Sequence, residues 1–263
     1  MLLDVIDGIE RQIFVLIALT RRELQIRIGH RSLGWVEEIG SITVHTLAFT
    51  FMRVALGVTS HHGMAVIPFT FTGVMTYWLF KTGITSVYSS SAVISRYRDF
   101  PQITLLDIAL SRAFVNMLIY ISFAYVVFFF LNLTGFSPPI SDGLRVLVWL
   151  FAGGAFGSSC GLVLMWPFHF FPIFRTVIMA AVFRTIALIS GTFFVYSDLP
   201  LAIRGYAAWF PLLHINDKLR AAYFSTFTAD WASPAYVTLW IVCAFAVGLI
   251  SCGAMRRYLD AGR

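Results

Sequence analysis

Few side chains of this sequence stand in a spacing that could do covalent chemistry. His214, Asp217 and Lys218 lie close together and could act as acid–base groups. His61 and His62 are adjacent, but a pair alone makes no metal site. No third ligand has suitable spacing, so they read as loop residues. Cys160, Cys243 and Cys252 all fall in apolar segments without a CxxC, and read as neither disulfide nor metal ligands. There is no GxxxxGK[ST], so nucleotide is not bound through a P-loop. There is no HExxH, no GxSxG, and no carboxylate–histidine grouping that recurs on one helix face. No catalytic, cofactor-binding or metal-binding residue is therefore assigned.

Composition explains why. The 263 residues are 59% hydrophobic and 12% charged, which excludes a soluble globular domain and indicates a multi-pass membrane protein. The net charge of +6 reads as the Lys and Arg of cytoplasmic loops rather than as nucleic-acid binding. The N-terminus lacks a signal-peptide pattern: its apolar run is short and is followed by Arg21 and Arg22.

Six apolar stretches are candidate spans: residues 35–58, 64–86, 105–133, 144–166, 176–196 and 234–255. Before them, residues 9–28 are amphipathic, and the elbow over 9–31 carries Arg21, Arg22, Glu23 and Arg27. This reads as an interfacial helix on an anionic leaflet. Thr20 and Glu23 form a capping-box pattern, predicting a fresh helix start there, and Gly29 can end the helix. The first span is interrupted by Glu37, Glu38, His45 and Arg53, which should face protein, water or an interface. Gly153, Gly157 and Gly161 form a small-residue stripe for close helix packing. Residues 167–175 read as a short turn.

Two connectors stand out. Residues 88–101 are polar, with Arg96, Tyr97, Arg98 and Asp99 before a helix-ending Pro101, and read as a docking segment. Residues 199–227 hold two short amphipathic pieces marked by Pro200, Pro211 and His214. They predict a helical pair that re-enters the membrane or lies in its interface. His214 reads as orienting a helix end by hydrogen bonding. Lys and Arg concentrate at the termini and even-numbered connectors, which places both termini in the cytoplasm. Arg204, Lys218 and Arg220 on the outer side run against that rule. The fold class is thus all-α integral membrane: six transmembrane helices, an N-terminal interfacial helix, and a reentrant or interfacial helical pair between the fifth and sixth spans. Aromatics on or beside the spans, Tyr77, Trp78, Tyr120 and Tyr125 among them, offer faces that could stack on sugar rings along a path.

Three stretches resemble the capsule polysaccharide export permeases, the membrane subunits of polysaccharide-exporting ABC transporters. The first is Leu19-Thr20-Arg21-Arg22-Glu23-Leu24 through Gly29 to Leu33-Gly34-Trp35. The second is Phe100-Pro101-Gln102-Ile103 with Asp107 to Ala113. The third is Ile189-Ser190-Gly191-Thr192-Phe193-Phe194 through Leu199-Pro200 to Phe210-Pro211-Leu212-Leu213-His214. The sequence departs from the family's pattern in having Phe210 where Asn is usual, and no proline after Trp35 in the first span. The resemblance implies a single permease domain in the bacterial inner membrane that works as a homodimer. A separate ATP-binding cassette subunit would carry ATP and Mg. Residues 88–101 would seat on that ATPase, and residues 199–227 would lie near the exit. The cargo would be a lipid-linked capsular polysaccharide, possible further partners being membrane lipid and periplasmic export proteins, with no nucleic acid. The alternatives are export of O-antigen, teichoic acid, lipid or drug, and, from a different class, an enzyme on lipid-linked sugars using His214, Asp217 and Lys218.

Overall fold

The computed structural model describes the backbone of residues 2–28, 34–97, 100 and 102–261. Helix α1 spans Leu2–Ile28 and α2 spans Gly34–Ala55. A small antiparallel hairpin follows, β1 Ser60–His61 and β2 Met64–Ala65. Then come α3 (Val66–Tyr88), α4 (Ser90–Val93) with a 3₁₀ turn Ile94–Tyr97, α5 (Leu105–Leu133) and α6 (Gly143–Phe170). Next, α7 (Pro172–Val177), a π turn Ile178–Val182 and α8 (Phe183–Ile189) form one continuous rod. The chain ends with α9 (Leu201–Ala207), α10 (Pro211–Tyr223) and α11 (Pro234–Ala261).

Among the described residues, four helices are long and apolar enough to cross a membrane: Leu105–Leu133, Gly143–Phe170, Pro172–Ile189 and Pro234–Leu259. In α2 the apolar part, Ile39–Ala55, is shorter. Helix α3 is long, but threonines lower its hydropathy. They are tolerated because each hydroxyl donates back to its own helix: Thr70 to Val66 O, Thr72 to Phe69 O, Thr76 to Thr72 O and Thr82 to Trp78 O. This helix is the hub. Most of it is buried, against α6, α5, α2 and α10.

The glycine stripe of α6 sets the α3–α6 contact. A Cβ on Gly157 would sit 2.2 Å from Phe80 O, and one on Gly161 would sit 2.8 Å from Ile84 O. Only residues without a Cβ permit such backbone approach. The stripe is therefore used in close packing within one chain.

Other expectations change at helix ends. Helix α1 runs through Thr20 without a break, because its apolar side packs continuously on α5. Gly29 and Arg31 lie outside the described residues. Residues 167–170 continue α6 rather than forming a turn, and only Phe171 separates α6 from α7. The rod expected over 176–196 starts earlier, at Pro172, and stops at Ile189; Gly191 follows at φ 75°, a conformation that ends helices. Phe193 to Val195 look span-like only because they are a loop covered by α10.

Candidate functional site

Two polar clusters mark the ends of α3, separated by about 30 Å at 1.5 Å per residue. The first joins α1, the C-terminal end of α3 and the start of α5. That start is fixed by a capping box: Thr104 accepts from Asp107 N at 3.3 Å, and Asp107 accepts from Thr104 N at 2.8 Å. The box turns one face of α5 toward α1. Gln12 donates to Asp107 Oδ1. Glu23 Oε1 accepts from Arg112 Nε at 3.1 Å and from Arg27 Nε at 3.3 Å. Arg112 reaches on to Ser89 Oγ at 3.0 Å, where α3 ends. Arg27 donates to Asn116 Oδ1 at 3.2 Å, and Asn116 Nδ2 donates to Thr82 Oγ1 at 3.1 Å. One carboxylate thus ties the elbow to two further helices.

The connector is anchored to the same place. Tyr97 is buried with Leu19 and Ile108, and the Arg22 guanidinium lies over its ring at 4.6 Å. Arg96 is exposed one residue earlier; Arg21 is also exposed. Arg98, Asp99 and Pro101 lie outside the described residues. Among the predicted docking residues, Tyr97 therefore faces the elbow and Arg96 faces outward. An apolar cavity of about 700 Å³ opens between α1, α5, α6 and α11, lined by Leu16, Ile17, Phe114, Phe151, Ile241 and Phe245 among others.

The second cluster joins the start of α3, the loop 190–198 and α10. Pro211 opens α10 at its first turn, where a missing N–H costs nothing. Helix α10 is almost wholly buried, unlike α9, whose Leu201 and Tyr206 are exposed. The amphipathic pattern of 216–223 thus marks a helix buried within the chain. Its buried charges, Asp217 and Arg220, find partners in backbone groups, the Trp231 indole and each other. Arg220 is fully buried and donates to Thr192 O at 2.9 Å, Phe194 O at 2.8 Å and Phe69 O at 3.4 Å. Its guanidinium sits 3.9 Å from the Phe69 ring centroid. Asp217 faces it at 3.6 Å and accepts from Tyr196 N and Trp231 Nε1, both at 3.0 Å. Gly73 of α3 makes room, since a Cβ there would lie 2.2 Å from Thr192 O. Arg53 of α2 donates to Phe193 O and its guanidinium also lies over the Phe69 ring, 4.7 Å from the centroid.

His214 has both ring nitrogens engaged. Nε2–H donates to Ala208 O at 2.7 Å, past the end of α9, and Nδ1 accepts from Ser233 N at 3.2 Å, ahead of α11. Burial lowers its pKa, which keeps the ring neutral in that arrangement. It joins three helices, in keeping with the sequence reading, and with Asp217 locked in place it is poorly set for acid–base work. Pro200 is exposed and caps α9.

The predicted aromatics are occupied within the chain. Tyr77 donates to Phe183 O at 3.0 Å, Tyr125 donates to Gly143 O at 2.6 Å, and Trp78 carries Lys81 Nζ at 4.6 Å from its ring centre. Tyr120 is enclosed in the main core.

His61 and His62 sit at the turn of the hairpin, and a distant carboxylate meets them there. Asp198, from the turn Tyr196–Asp198, bonds both: Oδ2 to His61 Nε2 and Oδ1 to His62 Nε2, each at 2.7 Å. Spacing along the chain could not reveal it, because the ligand sits 137 residues from His61. Burial lowers the His61 pKa despite the Asp198 bond. At Asp198 burial acts upward, but the Val195 N–H and the two imidazoles outweigh it and hold the pKa below the usual value.

Comparison with known proteins points one way. The family model described as ABC-2 type transporter matches residues 15–224. The capsule polysaccharide export inner-membrane protein CtrC of Neisseria meningitidis serogroup A is 22% identical over 88% of this chain and 87% of its own. The polysialic acid transport protein KpsM of Escherichia coli is 24% identical over 92% of this chain and 94% of its own. The capsule polysaccharide export inner-membrane protein BexB of Haemophilus influenzae is 21% identical over 90% and 89%.

Proposed function

The chain belongs to the ABC-2 type transporter family, and from that membership we propose that it is the membrane subunit of an ATP-driven exporter of capsule-type polysaccharide. The relatives at near full length carry the cargo class. In this reading the chain sits in the bacterial inner membrane with six crossings, made by α2, α3, α5, α6, the α7–α8 rod and α11. Both termini are cytoplasmic and two copies form the path. ATP and Mg bind a separate ATP-binding cassette subunit rather than this chain.

The observation that carries the mechanism is the Glu23 carboxylate, which links the elbow through Arg112 to the end of α3. The connector bearing Arg96 is buried through Tyr97 against the same elbow. A push delivered to Arg96 by the ATPase therefore reaches α1, α3 and α5 together instead of deforming a loose loop. Such coupling requires contacts that differ between nucleotide states. At the far end of α3, Arg220 grips the loop 190–198, so movement of α3 is passed to α10 near the exit. The apolar cavity beside α1 suits the acyl chains of a lipid-linked glycan. The glycan path is assigned to the surface between two copies, because Tyr120 is enclosed within one.

Deletion of the chain in its host, followed by complementation, tests the cargo. Capsular polymer should accumulate inside the deleted cells and return to the surface with the restored chain. An unchanged surface polymer layer after deletion would overturn the assignment.

A further inference from the structure

The hairpin between α2 and α3 supplies two members of the one group of three metal-ligating side chains found among the described residues: His61, His62 and Asp198. In an extended strand, neighbouring side chains point to opposite faces, so adjacent histidines should diverge. The backbone reverses this. His62 has φ 49° and Gly63 has φ 76°, the two positive values of a tight type I′ hairpin turn. Asn or Asp is the usual residue at the first of these positions. Histidine there swings a second imidazole toward the first, with ring centroids 4.8 Å apart. Thr226 ties the turn by donating to Gly63 O at 3.3 Å.

Asp198 is also oriented in advance, since its Oδ2 accepts from Val195 N at 2.8 Å. Its two oxygens face different Nε2 atoms, and the three ligand atoms lie within 4.8 Å of one another. A tetrahedral ion with bonds of about 2.0–2.2 Å spaces its donors about 3.3 Å apart. With the ligand atoms at most 4.8 Å apart, each pair differs from that spacing by no more than about 1.5 Å.

We propose that His61 Nε2, His62 Nε2 and a carboxylate oxygen of Asp198 bind one divalent first-row transition-metal ion of the zinc class, with water completing the coordination. Two imidazoles and one carboxylate are a donor set suited to such ions. On binding, each ring moves its proton from Nε2 to Nδ1, so the ligands stay neutral, neutral and anionic. Arg53 and Arg220, which flank the Phe69 ring against which His61 packs, oppose the added charge; Asp198 and Asp217 offset them. The ion would clip the α2–α3 hairpin to the loop that Arg220 already grips. Neither the cargo nor the orientation in the membrane enters this assignment.

The test uses the full chain in detergent, with a tag free of histidine, stripped with EDTA and titrated with Co²⁺ by its visible d–d absorption. One Co²⁺ per chain should bind with micromolar affinity and be displaced by Zn²⁺. His62 is 44% exposed, so His62→Gln is the variant least disturbing to the fold. It and Asp198→Asn should weaken binding by more than about 100-fold, beyond the roughly 10–100-fold that loss of a supporting hydrogen bond costs. His169→Gln should leave binding unchanged. Zn²⁺ should raise the melting temperature of the wild type but not that of Asp198→Asn. Wild-type protein that is monodisperse yet binds no Co²⁺ below millimolar concentrations would overturn the proposal, whatever the variants do. So would equal binding by the His61→Gln/His62→Gln double variant.

Discussion

Replacing Glu23 with alanine removes the α1 carboxylate that pairs with Arg112 of α5. Glu23 and Arg112 side chains are 13% and 17% exposed, so their 3.1 Å bond is largely shielded from water. A hydrogen bond to a charged group contributes about 1.5–3 kcal/mol. The Arg27 pair at i,i+4 adds about 0.3–0.5 kcal/mol. With the remaining exposure discounted, Glu23→Ala should favour release of α1 by about 2 kcal/mol, or about 30-fold in local opening. Arg112→Ala should do about the same. Because both remove one shared interaction, the double variant should lose about 2.5 kcal/mol, near 70-fold, not the sum. Hydrogen exchange across Leu16–Ile28, read by mass spectrometry in detergent, reports this opening directly. If the two effects multiply toward 1,000-fold, on the order expected for independent sites, Glu23 and Arg112 are not coupled and the elbow is not joined as argued.

The other outcomes concern packing and charge. Gly157→Ala places a methyl 2.2 Å from Phe80 O and should lower folded yield and stability by about 3 kcal/mol or more, while Gly253→Ala, with open space around it, should be neutral in the same melting assay. Arg220→Met strands the buried Asp217 and should destabilise by about 3–5 kcal/mol; adding Asp217→Asn should recover part of the loss in thermal melts. His214→Ala should cost about 1–3 kcal/mol by orphaning Ser233 N and Ala208 O, with hydrogen exchange rising at the start of α11. Arg96→Glu should leave insertion intact and abolish export; retained export would remove Arg96 from the docking surface.

What could be read from the sequence depended on whether the signal was local. The range of α5 was legible to the residue, because a long, mainly apolar run follows Asp107, with Arg112 and Asn116 near its start. The hinge at Pro211 and the joining role of His214 were legible too, since proline restricts its own backbone and histidine's options are few. The end of α8 was not: Phe193 to Val195 are apolar because α10 covers them, and burial by protein looks the same as burial by lipid. Arg220 reads as an interfacial charge because its partners are mainly carbonyls, which leave no trace in residue spacing. The small-residue stripe announced a close contact without naming the partner, which proved to be α3. The bond between Asp198 and the histidine pair depends on the packing of distant segments, and local patterns carry no information about it.

The tagged full chain should be purified from its native host in mild detergent, and the proteins that co-purify should be identified and quantified. An ATP-binding cassette ATPase in stoichiometric amount, lost on Arg96→Glu, is the result expected of a transporter membrane subunit. Folded, monodisperse chain with no ATPase attached would contradict it.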